Sequence, residues 1–225
     1  MYKSWWKVLA VVLLIYTIVG GFLLPVPRKI ILNESIRALH FHVPMWWGMI
    51  LLLLASVVYA IKSLRSNNPR FDIISNEFAN TGIVFGVLGL LTGILWSKFT
   101  WITQADVWWS NDPKQNASTI GLLIYLAYKI LRTAIPDQLA RARISGVYNI
   151  FAFACLIPLL FILPRMTDSL HPGNGGNPGF NIYDLDSDLR KVFYIAGIAW
   201  TMFGVWITTL RIRMKFIEHR RNEVI

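Results

Sequence analysis

Six apolar stretches leave this chain few folds to choose from: about 5–24, 44–62, 79–97, 118–135, 146–164 and 192–210. A helix needs roughly 20 apolar residues to cross the hydrocarbon core of a bilayer. Inside lipid the backbone polar groups must be paired within the segment itself, which favours helices. Only 15% of the residues are charged, 55% are hydrophobic, and the mean hydropathy is +0.50 over 225 residues. The sequence therefore predicts an all-α integral membrane protein, with residues 1–225 forming a single domain of six transmembrane helices. The first stretch opens with Lys3-Ser4-Trp5-Trp6-Lys7, as a signal peptide would. It runs on to Leu24-Pro25-Val26-Pro27 without a small-residue cleavage site, so it reads as a retained helix.

Basic residues fix the expected orientation, because short positively charged loops stay cytoplasmic. Lys3 and Lys7, then Lys62, Arg65 and Arg70, then Lys129, Arg132, Arg141 and Arg143, then Arg211, Arg213, Lys215, Arg220 and Arg221 all fall on one side of such a six-span chain. The other side collects the acids Glu34, Asp106, Asp112, Asp168, Asp184, Asp186 and Asp188. Both termini are expected in the cytoplasm. Topology then accounts for the net charge of +10, and no nucleic-acid partner is needed. One cysteine, Cys155, excludes a disulfide-exchange enzyme, which needs a pair.

The inner loops, such as 63–72, read as solvated connectors, and the outer ones carry the chemistry. The second outer loop, 96–117, holds Trp96, Trp101, Trp108 and Trp109, followed by Asp112 and Lys114. Tryptophan also gathers at membrane surfaces without any ligand, so an interfacial aromatic belt is one reading. The other is a flat shelf for a large planar amphiphile. Three histidines share this side: His40 and His42 in the first outer loop and His171 in the third, which continues into the glycine-rich run 172–179. His42 precedes Val43-Pro44, and proline at a first helical position is a start signal, so this imidazole is expected at the membrane edge just before the second helix. Neighbours two apart point to opposite sides of a helix, so His40 and His42 are not expected to hold one metal together. Imidazole is an axial ligand to haem iron, indoles stack on a porphyrin face, and propionates pair with cations. Lys98, Lys114, Arg37 and Arg165 are the candidate propionate partners. Asp112 before Pro113 also reads as a helix cap. Gly82, Gly86, Gly89 and Gly93 form a small-residue packing face, and Trp200 and Trp206 read as packing or lipid-facing residues.

These residues resemble the haem-handling membrane proteins of cytochrome c maturation, the CcmC type and its relative CcsA. That family carries a Trp-rich outer segment, the WWD motif, often ending Trp-Ser-Trp-Asp-Pro-Lys. Here Trp109-Ser110-Asn111-Asp112-Pro113-Lys114 matches at every position except Asn111, and residues 104–107 look like a short insertion. The family also places one histidine in each flanking outer loop, the first within His-Val-Pro. His42-Val43-Pro44 looks like that site, and His171 holds the place of the second.

The resemblance implies a haem-binding and delivery factor rather than an enzyme, set in a bacterial cytoplasmic membrane. It would hold haem b at the outer face with His42 and His171 as axial ligands and the Trp segment as the contact surface. Two imidazoles saturate the iron and leave no position for oxygen chemistry. The implied partners are a CcmE-type haem chaperone, ABC transporter subunits of the CcmA and CcmB type, a small CcmD-type membrane protein and the lipid bilayer. The alternatives are a CcsA-like component of a haem-attachment synthase, a quinone-linked cytochrome b subunit, and a small permease. Buried electron-transfer haems need histidine at the centre of a span, and none of the six stretches has one there.

Overall fold

The computed structural model describes residues 4–27, 32–66, 68–101, 107–171 and 185–224, and among them there is no strand. Lys3, Arg28, Lys29, Gln104 to Asp106, Asp184 and the glycine-rich run of the third outer loop lie outside the described residues. Six α-helices are present among the described residues: α1 (Trp5–Leu23), α2 (Leu39–Ser66), α3 (Pro69–Thr100), α4 (Pro113–Ala134), α5 (Gln138–Ile157) and α6 (Ser187–Val224). Three begin with a capping side chain, among them the expected Asp112. Asn68, Asp112 and Asp137 each accept a backbone N–H of the first turn they cap, and Pro69 and Pro113 follow at the first helical position. Pro158, which lacks an N–H, ends the regular ladder of α5. The chain continues as a π-helical turn, Pro158–Ile162, and a 3-10 turn, Leu163–Arg165.

Two expectations change here. Pro44 does not start α2. A 3-10 turn, Asn33–Ala38, feeds directly into a helix that begins at Leu39, so Pro44 lies inside it and His40 and His42 are helical rather than loop residues. So close to the helix start, the missing proline N–H forfeits a bond only to a first-turn carbonyl. The second change concerns α4. Five helical segments are long and apolar enough to cross a membrane: Trp5–Leu23, Asn33–Ser66, Pro69–Thr100, Gln138–Arg165 and Ser187–Arg221. Helix α4 is not among them, because Lys114, Gln115 and Asn116 at one end and Lys129 and Arg132 at the other leave too short an apolar run between. Its apolar residues divide between a buried face at Leu122, Tyr125 and Tyr128 and an exposed one at Ile120, Leu123 and Ile130.

Helices α2 and α3 run antiparallel and make the closest pair, through the glycine face. A Cβ added at Gly82 would stand 2.8 Å from Leu53, one at Gly86 2.7 Å from the Met49 sulfur, one at Gly89 2.9 Å from the Trp46 ring, and one at Gly93 2.8 Å from His42 Cε1. Small residues let the two backbones approach this closely, as is common for helices in lipid. Helix α6 fits the same way, with Gly197 against Trp47 and Gly204 against Leu52 and Phe85. Helix α1 leans on α6 through Gly20 and Val192. Trp206 meets Trp6 edge-on at 6.5 Å and Trp200 meets Phe203 at 6.0 Å, both as packing contacts.

The end of the bundle away from His42 is knitted by polar groups. Asp72 accepts both guanidinium nitrogens of Arg132, at 2.8 and 2.6 Å, and Ser145 takes a further bond from Arg132. Glu77, 1% exposed, accepts from Arg211 at 2.7 Å, and Lys129 bonds Asn80. Ser56, Ser75 and Asn149 join α2, α3 and α5. Asp72 is therefore part of a buried ion pair, not of a solvated connector.

Candidate functional site

The start of α2, the end of α3, the start of α4 and the chain beyond α5 meet at one end of the bundle. His42 sits in the first turns of α2 above Gly93, where only a hydrogen leaves room for the imidazole. Its ring meets Trp46 edge-on at 6.3 Å, and its Nδ1 lies 3.0 Å from the Thr92 hydroxyl. Across from it stands His171. The two imidazole centres are 6.3 Å apart with a 43° angle between planes, and Trp96 lies 6.4 Å from His171. Residues separated by more than a hundred positions are thus brought ring to ring. His40 is not in this group. It is buried at 2% exposure on the opposite flank of α2, with its Cβ against Gly21 of α1.

Asp112 explains how His171 is held. Its carboxylate is 4% exposed and accepts the Lys114 N–H at 2.9 Å, the helix cap. It also accepts the Ser169 hydroxyl at 2.9 Å and the Leu170 N–H at 2.8 Å, and the Ser169 oxygen in turn accepts the His171 N–H at 3.1 Å. One carboxylate joins the Trp segment to the segment that carries His171. Asp112→Ala is expected to destabilise the fold by about 2 kcal/mol, through the lost cap and the stranded donors, with Asp112→Asn retaining most of it. Thermal unfolding in detergent, with proteolysis after Arg165 as a local readout, checks this.

The tryptophans divide by role. Trp101 is buried at 8%, and its indole N–H finds no acceptor. Trp108 and Trp109 are exposed at 61% and 42%. The Lys98 ammonium lies over the Trp108 ring at 5.5 Å, and the Trp109 N–H donates to Asn116 at 3.2 Å. Asn116 also donates to Asn111 at 2.9 Å, so Asn111 takes part in holding this loop. The Gln115 amide, buried beside Ser110, leaves its Nε2 without an acceptor. Lys114 and Arg165 are neighbours. Burial lowers the Lys114 pKa, Asp112 opposes that, and Arg165 adds to it. Arg165 also donates to the Phe161 carbonyl. Arg37 is anchored at the end of α1. Its guanidinium is engaged by Glu34 at 2.6 Å and by the carbonyls of Gly21 and Leu24 at 3.0 and 2.8 Å, where it closes the end of α1.

Trp46, Thr92, Gly93 and Ser169 belong to this site, and no sequence signal marks them for it. With α2 taken to start at Pro44, the four-residue step from His42 to Trp46 along one helix face is invisible.

Fold and site together define a multi-pass helical membrane protein with two facing imidazoles at one end, rimmed by indoles and cations. The chain belongs to the CcmC family, described as heme exporter protein C, whose family model matches residues 1–225. It is 25% identical over 198 residues to the heme exporter protein C of Haemophilus influenzae, covering 83% of this chain and 73% of that one. A putative cytochrome c biosynthesis ccmC-like mitochondrial protein of Marchantia polymorpha is also 25% identical over 198 residues, covering 85% and 79%. The cytochrome c biogenesis protein CcsA of Prochlorococcus marinus is 32% identical over 98 residues, 43% of this chain and 30% of that protein. Membership of this family supports a role in cytochrome c maturation.

Proposed function

We propose that this protein holds haem b between His42 and His171 at the outer face of the cytoplasmic membrane and passes it to a CcmE-type haem chaperone. The observation that carries this reading is the 6.3 Å separation of the two imidazole centres. Two imidazoles this close would each offer a ring nitrogen to one metal, at the usual bond length of about 2.0–2.1 Å. The surroundings fit the group as well. Gly93 leaves room for the His42 ring, and Trp101 and Gln115 keep buried donors without acceptors.

His42 and His171 are the proposed ligands, Trp96 and Trp108 the stacking surface, and Lys114 and Arg165 the propionate partners. Haem, when bound, supplies an iron centre that two imidazoles saturate, so the protein presents it without activating oxygen. The exposed Trp108 and Trp109 lie at the rim, where a partner protein gains access. His42 would be held on α2 and His171 on the short segment that Asp112 and Ser169 tie down. ABC transporter subunits of the CcmA and CcmB type and a small CcmD-type protein complete the proposed assembly. The distribution of positive residues supports a cytoplasmic setting for the other end of the bundle and for both termini.

The test is the visible spectrum of the full-length protein purified in detergent from haem-replete cells together with its partners. A low-spin bis-imidazole spectrum is expected. Protein that copurifies with the chaperone yet never carries haem would overturn the reading.

A further inference from the structure

Thr92 stands on α3 directly before the Gly93 cradle, and its hydroxyl oxygen has three neighbours. His42 Nδ1 is at 3.0 Å, the Leu88 carbonyl at 2.8 Å and the Gly89 carbonyl at 3.0 Å. A hydroxyl has one proton to give and two lone pairs to receive, and a carbonyl can only accept. With the proton turned to the helix carbonyls, as the shorter 2.8 Å contact favours, the oxygen must accept from the imidazole. Neutral His42 then carries its proton on Nδ1, and its lone pair sits on Nε2. The reverse arrangement, with the hydroxyl donating to Nδ1, would place a proton on Nε2 and close that atom to a metal.

We propose that Thr92 is a positioning residue that fixes the tautomer of His42, presenting Nε2 as the ring's only metal-binding atom before any ligand arrives. Gly93 and Trp46 hold the plane of the same ring. A Cβ added at Gly93 would come within 2.8 Å of it, and the Trp46 ring centre lies 6.3 Å from its own. Orientation and protonation of the imidazole are thereby set by three neighbours that never touch the metal. A hydrogen bond to the far nitrogen of a ligating histidine also raises its basicity as a donor. The inference rests on the haem reading for the identity of the metal, but not for the tautomer.

The tautomer is read directly by 15N NMR of histidine-labelled full-length protein prepared without haem, at alkaline pH, with the His42 signal assigned by its loss in His42→Gly. Protonated Nδ1 is expected in the unaltered protein and in Thr92→Ser, and a mixture in Thr92→Val, which keeps the side-chain shape but removes the hydroxyl. Protonated Nε2 in the unaltered protein, or an unchanged tautomer in Thr92→Val, would overturn the proposal. Should Thr92→Val not fold, the spectrum of the unaltered protein decides alone. In haem-loaded protein, Thr92→Val is expected to release haem roughly 10–100-fold more readily, the usual effect of losing such a partner. Its reduction potential should shift upward, and Thr92→Ser should restore both. Haem retention and potential unchanged in Thr92→Val count against the role of Thr92, whereas a haem spectrum unchanged in His42→Gly defeats the haem reading itself.

Discussion

His42→Gly and His171→Gly are each expected to strip the purified protein of its low-spin haem spectrum, and added imidazole is expected to restore it. The glycine leaves a space of the shape of the lost ring, bounded for His42 by Trp46, Thr92 and Gly93. Free imidazole fits there and supplies the missing nitrogen. The affinity loss should exceed the roughly 10–100-fold typical of losing a supporting hydrogen bond to a ligand. His40→Gly is the control. Its Cβ lies against Gly21 of α1, away from the His42–His171 pair, so its removal should leave the absorption bands in place. Full, unshifted spectra in both ligand variants would remove His42 and His171 as axial groups.

Arg132→Ala is expected to destabilise the fold by about 3–5 kcal/mol, because it strands the Asp72 carboxylate in a setting where neither side chain is more than 12% exposed. The double variant Asp72→Ala with Arg132→Ala should recover a large part of that loss, since the penalty comes from an uncompensated buried charge rather than from the missing attraction. Detergent unfolding of the two single variants and the double variant measures this. Equal losses in all three would show that Arg132 acts through packing of its stem instead.

Much of this architecture is written in local signals. Apolar length gives the helices, Asn68, Asp112 and Asp137 mark their starts, and the Gly82 to Gly93 series marks the face on which α2 and α3 meet. The pairing of His42 with His171 is legible from their shared side of the membrane topology, although no spacing rule sets their distance. Other features are hidden for physical reasons. Pro44 reads as a start because proline suits a first turn, but a preceding 3-10 turn lets the helix begin five residues earlier, at Leu39. Arg37 looks like any outer cation until its guanidinium is found closing α1. Asp72 and Glu77 look like loop-proximal acids, and only tertiary pairing with Arg132 and Arg211 shows them to be interior. Ser169 and Thr92 are ordinary polar residues in sequence. Their importance lies in a single hydroxyl each, aimed at a partner far along the chain.

The glycine face between α2 and α3 also sets where this chain can change length. One residue gained between Gly82 and Gly93 would turn everything beyond it by about 100° and slide it by about 1.5 Å. A side chain would then rise beneath the His42 ring, and every later glycine would lose its partner. An insertion or deletion along this stretch of α3 is therefore expected to unseat the pair. Past Trp101, beyond the last turn of α3, a change of length would leave the helical register that seats the first imidazole in place.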